Sequence, residues 1–217
     1  MIGVRKTVII NRAVPGSGKS TICKALMEFL RANGAACRSH STDDFFMEGD
    51  RYVFDLAKLK SAHQKNAKNF EASLKEGIDV VFCDNVNLEP WETKPYTDMA
   101  AAYGYKIVFL NFAPREIEKH IASQKVTSEK PDAHQVPAEK IKEFIEGFYI
   151  YNPLLGAGAK IDPQKHRRYE WDETLLKKVD VGCLEENFRF DRVVNISPDE
   201  YHKYKKDIKL LAALMFD

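Results

Sequence analysis

Hydrophobic and polar positions along this chain fall into two alternating patterns. Val8-Ile9-Ile10 is a short continuous apolar run, the signature of a strand buried on both faces. Ile22, Leu26, Phe29 and Leu30 then recur at helical spacing until Asn33-Gly34 stops them. Ala35 to His40 fits a second strand, ending in the polar stretch Ser41-Thr42-Asp43-Asp44. Leu56, Leu59, His63, Ala67, Phe70 and Leu74 form a long amphipathic stripe that ends at Gly77. Ile78 to Cys83 has the composition of a buried strand and opens onto the polar corner Asp84-Asn85-Val86-Asn87. A helix from about Pro90 to Tyr103 and a strand from Lys106 to Leu110 complete the regular part.

This alternation predicts an α/β fold, a parallel sheet flanked by helices on both faces, within a single domain spanning 1–217. From about 114 to 150 the chain is charged and helical, with Pro137 at a helix start and Ile141, Phe144, Ile145 and Phe148 on one face. With the polar segment Ser123 to Gln135 between its helical parts, the stretch of about 114–150 reads as a helical lid. Residues 152–190 read as an irregular insertion broken by Gly156, Gly158 and Pro163. Arg167, Arg168, Tyr169 and Trp171 in it suit either a nucleic-acid surface or a solvated loop anchored by two aromatics. Residues 191–217 supply the last strand and a closing helix striped by Tyr201, Tyr204, Ile208, Leu211 and Met215.

Between the first strand and the first helix lies Ala13-Val14-Pro15-Gly16-Ser17-Gly18-Lys19-Ser20-Thr21, which reads as a phosphate-binding loop. Backbone N–H groups of Pro15 to Thr21, apart from the proline's own missing one, and the start of the helix would face nucleotide phosphates. Lys19 would pair with the β/γ-phosphates and Ser20 would hold Mg²⁺. The usual first glycine of this motif is Ala13, which can serve where φ is negative.

Charge refines this picture little, because 33 Lys and Arg against 32 Asp and Glu leave a net +1. The distribution is more informative. Arg5, Lys6, Arg12, Lys19, Lys24, Arg31 and Arg38 face a single acid, Glu28, within the first forty residues, which suggests an anionic ligand near this end. Cys23, Cys37, Cys83 and Cys183 form no C-x-x-C pair and read as buried free thiols in a reducing compartment. The apolar start is too short for a signal peptide, and with no long apolar run the expectation is a soluble, cytoplasmic protein without a membrane partner.

A phosphate loop by itself leaves kinases, GTPases and motor ATPases open. The guanine-reading N-K-x-D is missing, and the Val80 to Cys83 run ends in Asp84-Asn85 rather than in paired acids, so a small phosphotransferase fits best. An Asp after the second strand can accept a hydroxyl proton and align the oxygen for attack on the γ-phosphate. Asp43 takes that role, with Asp44 as the other candidate, and either could instead cap the following turn. Asn85 and Asn87, at a strand's carboxyl end, are candidates for ligand contact or for capping the turn before Pro90. His63 reads as a core histidine or a site residue, and Trp91 and Tyr96 as packing residues.

Val14 to Thr21, Ser41 to Phe46, Ala62-His63 and Asp84 to Glu92, taken in order, resemble the P-loop kinases of the polynucleotide-kinase and zeta-toxin group. They are similar above all to the AAA-type ATP-binding domains of ubiquitin-ligase-binding proteins. The resemblance implies an ATP- and Mg²⁺-dependent kinase of a 5′-hydroxyl RNA or DNA end, with Lys19 and Ser20 at the phosphates and metal and Asp43 as base. The alternatives are a kinase of a small metabolite or sugar nucleotide, and an ATP-binding interaction module without catalysis. The chain departs from the group twice. Phe46 stands where an arginine usually holds substrate phosphate, leaving Arg51 as the nearest cation. The lid offers Lys119, Lys125, Lys130 and His134 in place of arginine, and Lys125 and Lys130 are the candidates for lid charge.

Overall fold

The computed structural model describes residues 6–127, 136–150, 167–172, 177–183 and 188–216. Strand β1 (Thr7–Ala13) leads into α1 (Lys19–Ala32) and β2 (Cys37–His40). A 3-10 turn (Thr42–Phe46), the two-residue strands β3 (Met47–Glu48) and β4 (Arg51–Tyr52), and the long α2 (Leu56–Glu76) come next. Then follow β5 (Val80–Cys83), α3 (Pro90–Ala102), β6 (Lys106–Phe112), α4 (Ile117–Thr127) and α5 (Ala138–Ile150). After β7 (Arg167–Asp172) and β8 (Lys177–Cys183), the chain ends with β9 (Arg192–Ile196), α6 (Pro198–Lys206) and α7 (Ile208–Phe216).

Five strands form one sheet in the order β2-β5-β1-β6-β9, and every pairing in it is parallel. The central strand β1 is buried at all seven positions, which is why its sequence shows no polar alternation. Successive side chains leave a strand on opposite faces. Ile9, Val108 and Leu110 therefore pack against Ile22, Leu26 and Leu30 of α1 and Leu211 and Met215 of α7. Val8, Ile10 and Phe109 pack against Phe70 and Leu74 of α2 and Tyr96 and Ala100 of α3. No helix among the described residues is long and apolar enough to cross a membrane.

Three elements differ from the sequence expectation. The closing helix is two helices, because Asp207 leaves helical geometry (φ −137°, ψ 88°) and its carboxylate accepts the Lys209 N–H at 3.2 Å. The expected irregular insertion contains the antiparallel pair β7 and β8, so Arg167 to Trp171 lie on a strand rather than in a loop. A second antiparallel pair, β3 and β4, turns at Gly49-Asp50, where Gly49 has φ +63°. Glycine at the first central position is what a two-residue hairpin of this kind requires.

Candidate active site

The carboxyl ends of β1, β5 and β2 lie side by side, and each releases a polar segment there. Ala13 is the last residue of β1, fully buried and not in the left-handed region, so the missing glycine costs the loop nothing. Gly16 and Gly18 carry the turn, with φ near +87° and +85°. A Cβ on Gly18 would lie 2.5 Å from the Tyr201 ring, so that position excludes any side chain on two counts. Helix α1 starts with no side-chain cap and no acid in its first turn. Its leading N–H groups are thus disposed toward an anion. The Ser17 hydroxyl, buried in the loop, has no hydrogen-bond partner among the described residues.

Lys19 and Ser20 converge on one carboxylate. The Lys19 ammonium lies 3.0 Å from both Oδ1 and the backbone oxygen of Asp84, and Ser20 Oγ donates to Asp84 Oδ2 at 2.9 Å. Asn11 donates to Asp84 Oδ1 at 2.8 Å, anchoring the acid from β1. Burial by itself would depress the Lys19 ammonium, but the fields of Asp84, Asp43 and Cys23 and the Asp84 hydrogen bond leave it raised, so it stays charged. A hydroxyl and a carboxylate oxygen side by side suit Mg²⁺, which takes one or two protein oxygens and completes its shell with water and phosphate. Asp84 is not among the candidate site residues that the sequence points to. Its signal was present, an acid directly after a buried apolar strand.

Asp43 sits in the first turn of the 3-10 segment and does not cap it. Ser41 does, accepting the Asp43 N–H at 3.3 Å. The Tyr52 hydroxyl donates to Asp43 Oδ1 at 3.2 Å. Asp44 lies exposed at the rim, and its carboxyl is raised, first by burial of its surroundings and then, against a Ser41 hydrogen bond, by the charges of Asp84 and Asp43. Arg51 is exposed on β4 beside Glu48 and Asp50, the three lining an open hollow of about 380 Å³ with Val53.

The family comparison agrees with this geometry. A model of the AAA domain matches residues 8–150. The chain belongs to the AAA domain family. NEDD4-binding protein 2 of Homo sapiens is 29% identical over 171 residues, 75% of this chain and 9% of that protein, so the chain spans about a tenth of its relative's length. A chain of the Pnkp1/Rnl/Hen1 RNA repair complex aligns with a TM-score of 0.52 at 17% identity over 78% of this chain and 53% of that one. A sugar kinase from Janibacter sp. HTCC2649 aligns with a TM-score of 0.50 at 11% identity over 96% and 95%. These likenesses establish a P-loop kinase-like fold, whose loop implies nucleotide binding.

In this AAA domain Asn85 and Asn87 both make hydrogen bonds within the fold. Asn85 accepts the Thr42 N–H at 2.9 Å, pinning the 3-10 turn to β5. Asn87 is buried in the left-handed conformation (φ +52°), which turns its amide inward to donate to the Asn11 backbone oxygen at 2.7 Å. The α3 cap is made by Glu89, whose N–H donates to Glu92 at 2.9 Å. His63 is no core residue. It is exposed and bonded to Thr42 Oγ1 at 3.1 Å, because its side of α2 faces the turn rather than the sheet. Trp91 is 40% exposed, whereas Tyr96 is packed.

The basic beginning of the chain divides by burial. Arg12 is fully buried and donates to the backbone oxygens of Leu88 and Phe148 and to Asn111 Oδ1, while its guanidinium stacks 4.3 Å from the Phe148 ring centre. Burial lowers its pKa to about 9 despite the field of Glu92. Arg38 pairs with Glu76 at 2.6 Å. Arg12 ties β1 to the segments around it inside the fold, while Arg38 is paired at the surface.

The helices expected as a lid are seated on the loop. Ile141, Ile145 and Phe148 of α5 form a buried cluster with Val14 and Leu88. His120 of α4, fully buried, accepts the Arg115 N–H at Nδ1 (3.4 Å) and so donates from Nε2 to the Pro15 oxygen at 2.8 Å. Burial lowers its pKa, which keeps this neutral tautomer. His120 and Arg115 line a small cavity with Ser17 and Tyr201, and neither stood out in the sequence. Lys119 is paired with Glu116 on the surface at 2.7 Å. Lys125 lies on α4, and Lys130 and His134 fall outside the described residues.

Proposed function

We propose that this chain is an ATP- and Mg²⁺-dependent phosphotransferase in which Asp43 takes the proton of an acceptor hydroxyl. The observation that carries the reading is that Asp43 stands on the 3-10 turn that follows β2 and is pinned through Thr42 to Asn85, the residue next to Asp84 at the end of the neighbouring strand β5. The acceptor oxygen forms a bond to the γ-phosphorus, its proton passes to Asp43, and the bridging bond breaks to release ADP. Pro15 to Thr21 would cradle the phosphates, with Lys19 offsetting charge that grows in transfer. Ser20 and Asp84 are the residues that would hold Mg²⁺, which supplies charge neutralisation at the phosphates. Lys125 and Lys130 would add lid charge, and Asp44 and Arg51 would meet the acceptor.

We assign the acceptor as a 5′-hydroxyl end of RNA or DNA, supported by the resemblance of Val14 to Thr21, Ser41 to Phe46, Ala62-His63 and Asp84 to Glu92 to the polynucleotide-kinase group. A second reading, a small metabolite or sugar nucleotide, is favoured by one observation. Residues 43–56 hold five acids against Arg51 alone. The same stretch exposes Phe45, Met47, Val53, Phe54 and Leu56. Such a surface suits a flat, uncharged group better than a run of phosphates. Transfer of label from γ-labelled ATP to 5′-hydroxyl oligonucleotides, nucleosides and sugars separates the readings. Label on oligonucleotides, with affinity only shallowly dependent on salt, supports the first. Label on nucleosides or sugars alone replaces it with the second. In Asp43→Asn, ATP should bind as before while transfer falls about 10²-fold or more; an unchanged rate removes Asp43 from the mechanism.

A further inference from the structure

The β3 and β4 strands are two residues each, far too short to be stable as an independent element. They are nevertheless held in place. The Val53 N–H donates to the Phe46 oxygen at 2.8 Å, and the buried Phe46 ring lies under both Tyr52 and Phe54, with ring centres 6.1 and 5.2 Å away. The result is that the Tyr52 hydroxyl reaches across the hairpin to Asp43 Oδ1 at 3.2 Å. From the other direction, the turn that bears Asp43 is fixed through Thr42, whose N–H is held by Asn85 and whose hydroxyl meets His63.

We infer that Tyr52 is a positioning residue for phosphoryl transfer, its hydroxyl setting the rotation of the Asp43 carboxylate toward the acceptor. This rests on the reading of Asp43 as the base. Tyr52 itself gives up no proton in the step. Burial, followed by the charge of Asp43 and their hydrogen bond, raises its phenol above the ordinary value, so it stays a donor. A carboxylate held in one orientation needs no reorganisation when the acceptor arrives, and this pre-organisation is the advantage a single hydrogen bond can confer.

Tyr52→Phe removes one oxygen and keeps the ring on Phe46. In transfer to the acceptor that the label assay identifies, and in slow ATP hydrolysis by water, kcat should fall about tenfold with KM for ATP unchanged. In an Asp43→Asn background the same change should cost less than about twofold, because the residue it acts through is gone. Equal cost in both backgrounds would make Tyr52 a mere prop of the hairpin and overturn the inference. Full activity of Tyr52→Phe, in an enzyme that Asp43→Asn disables, would overturn it and leave the function standing. An unchanged rate in Asp43→Asn would take down both. A substrate-free check uses ¹³C-tyrosine NMR. The Tyr52 Cζ resonance, assigned through Tyr52→Phe, should move in Asp43→Asn and stay in Glu48→Gln, and no movement in Asp43→Asn would sink the proposed bond.

Discussion

The two sides of the candidate cleft are built differently. The phosphate side rests on the central strand β1, and its acid, Asp84, is buried among Asn11, Lys19 and Ser20. The acceptor side hangs from β2 at the edge of the sheet, on a 3-10 turn and a hairpin of two two-residue strands with several exposed apolar side chains nearby. The groups proposed to meet the triphosphate are thus inside the cooperative core. Groups that would meet the variable partner lie on an appendage that can change without repacking the sheet.

If the contrast is sound, changes on the phosphate side should affect stability and nucleotide together, while changes on the acceptor side should affect neither. The largest effect is expected from Lys19→Ala. ATP affinity should fall about 10²-fold. Because Asp84 then keeps a buried charge without its cation, the fold should also lose about 1–2 kcal/mol. Calorimetry with ATP·Mg²⁺ and denaturant melts measure the two effects, and a loss of binding with no loss of stability would separate what the structure joins. Ser20→Ala should come next, requiring about tenfold more Mg²⁺ for half-maximal ATP binding while metal-free ADP binding holds. Identical Mg²⁺ titrations would remove the hydroxyl from the metal.

On the acceptor side, Met47→Ala should raise the acceptor KM about threefold to tenfold by loss of an exposed apolar contact. ATP affinity and melting temperature should stay as they are. A drop in either would show that the hairpin belongs to the core after all.

The smallest effect concerns Glu92, near the buried Arg12. Its carboxyl is pushed up to about 7, chiefly by burial, against the backbone hydrogen bonds of Glu89 and Leu88 and the field of Arg12. A folded-state value above the ordinary 4.5 means that the folded chain binds this proton more tightly than the unfolded one. The stability it contributes is present below about 4.5 and is lost as pH rises through about 7. Glu92→Gln cannot titrate, so its stability relative to the parent should rise between pH 5 and pH 8. Melts at both values test this, and a constant difference would contradict it.

Much of the phosphate side was legible in the chain. A continuous apolar run, a glycine-rich turn and a helical stripe are local patterns, and each forms for reasons contained within about fifteen residues. The alternation of strand and helix then leaves a parallel sheet as the way to bury those faces. Asp43, three residues past the end of β2, is found by the same kind of counting. Other features were not legible, because they depend on partners far away in sequence. Asp84 meets Lys19 and Ser20 across 65 and 64 positions, and Arg12 meets Phe148 across 136. An arginine in an apolar strand looks like any basic residue until the carbonyls that receive it are in place. His63 and the two asparagines were ambiguous for the same reason: whether a polar side chain faces a cleft, a turn or the core depends on what the neighbouring element presents.

The sequence by itself therefore determined the α/β class, the loop and the order of the sheet-forming elements, since periodicity, turn chemistry and hydrophobic burial act over short stretches. Only the tertiary structure decided which acid holds Lys19, which cations are spent inside the fold and that Tyr52 reaches Asp43. Such pairings are set when strands and helices converge, and free energies of a hydrogen bond or ion pair leave no local pattern in the chain.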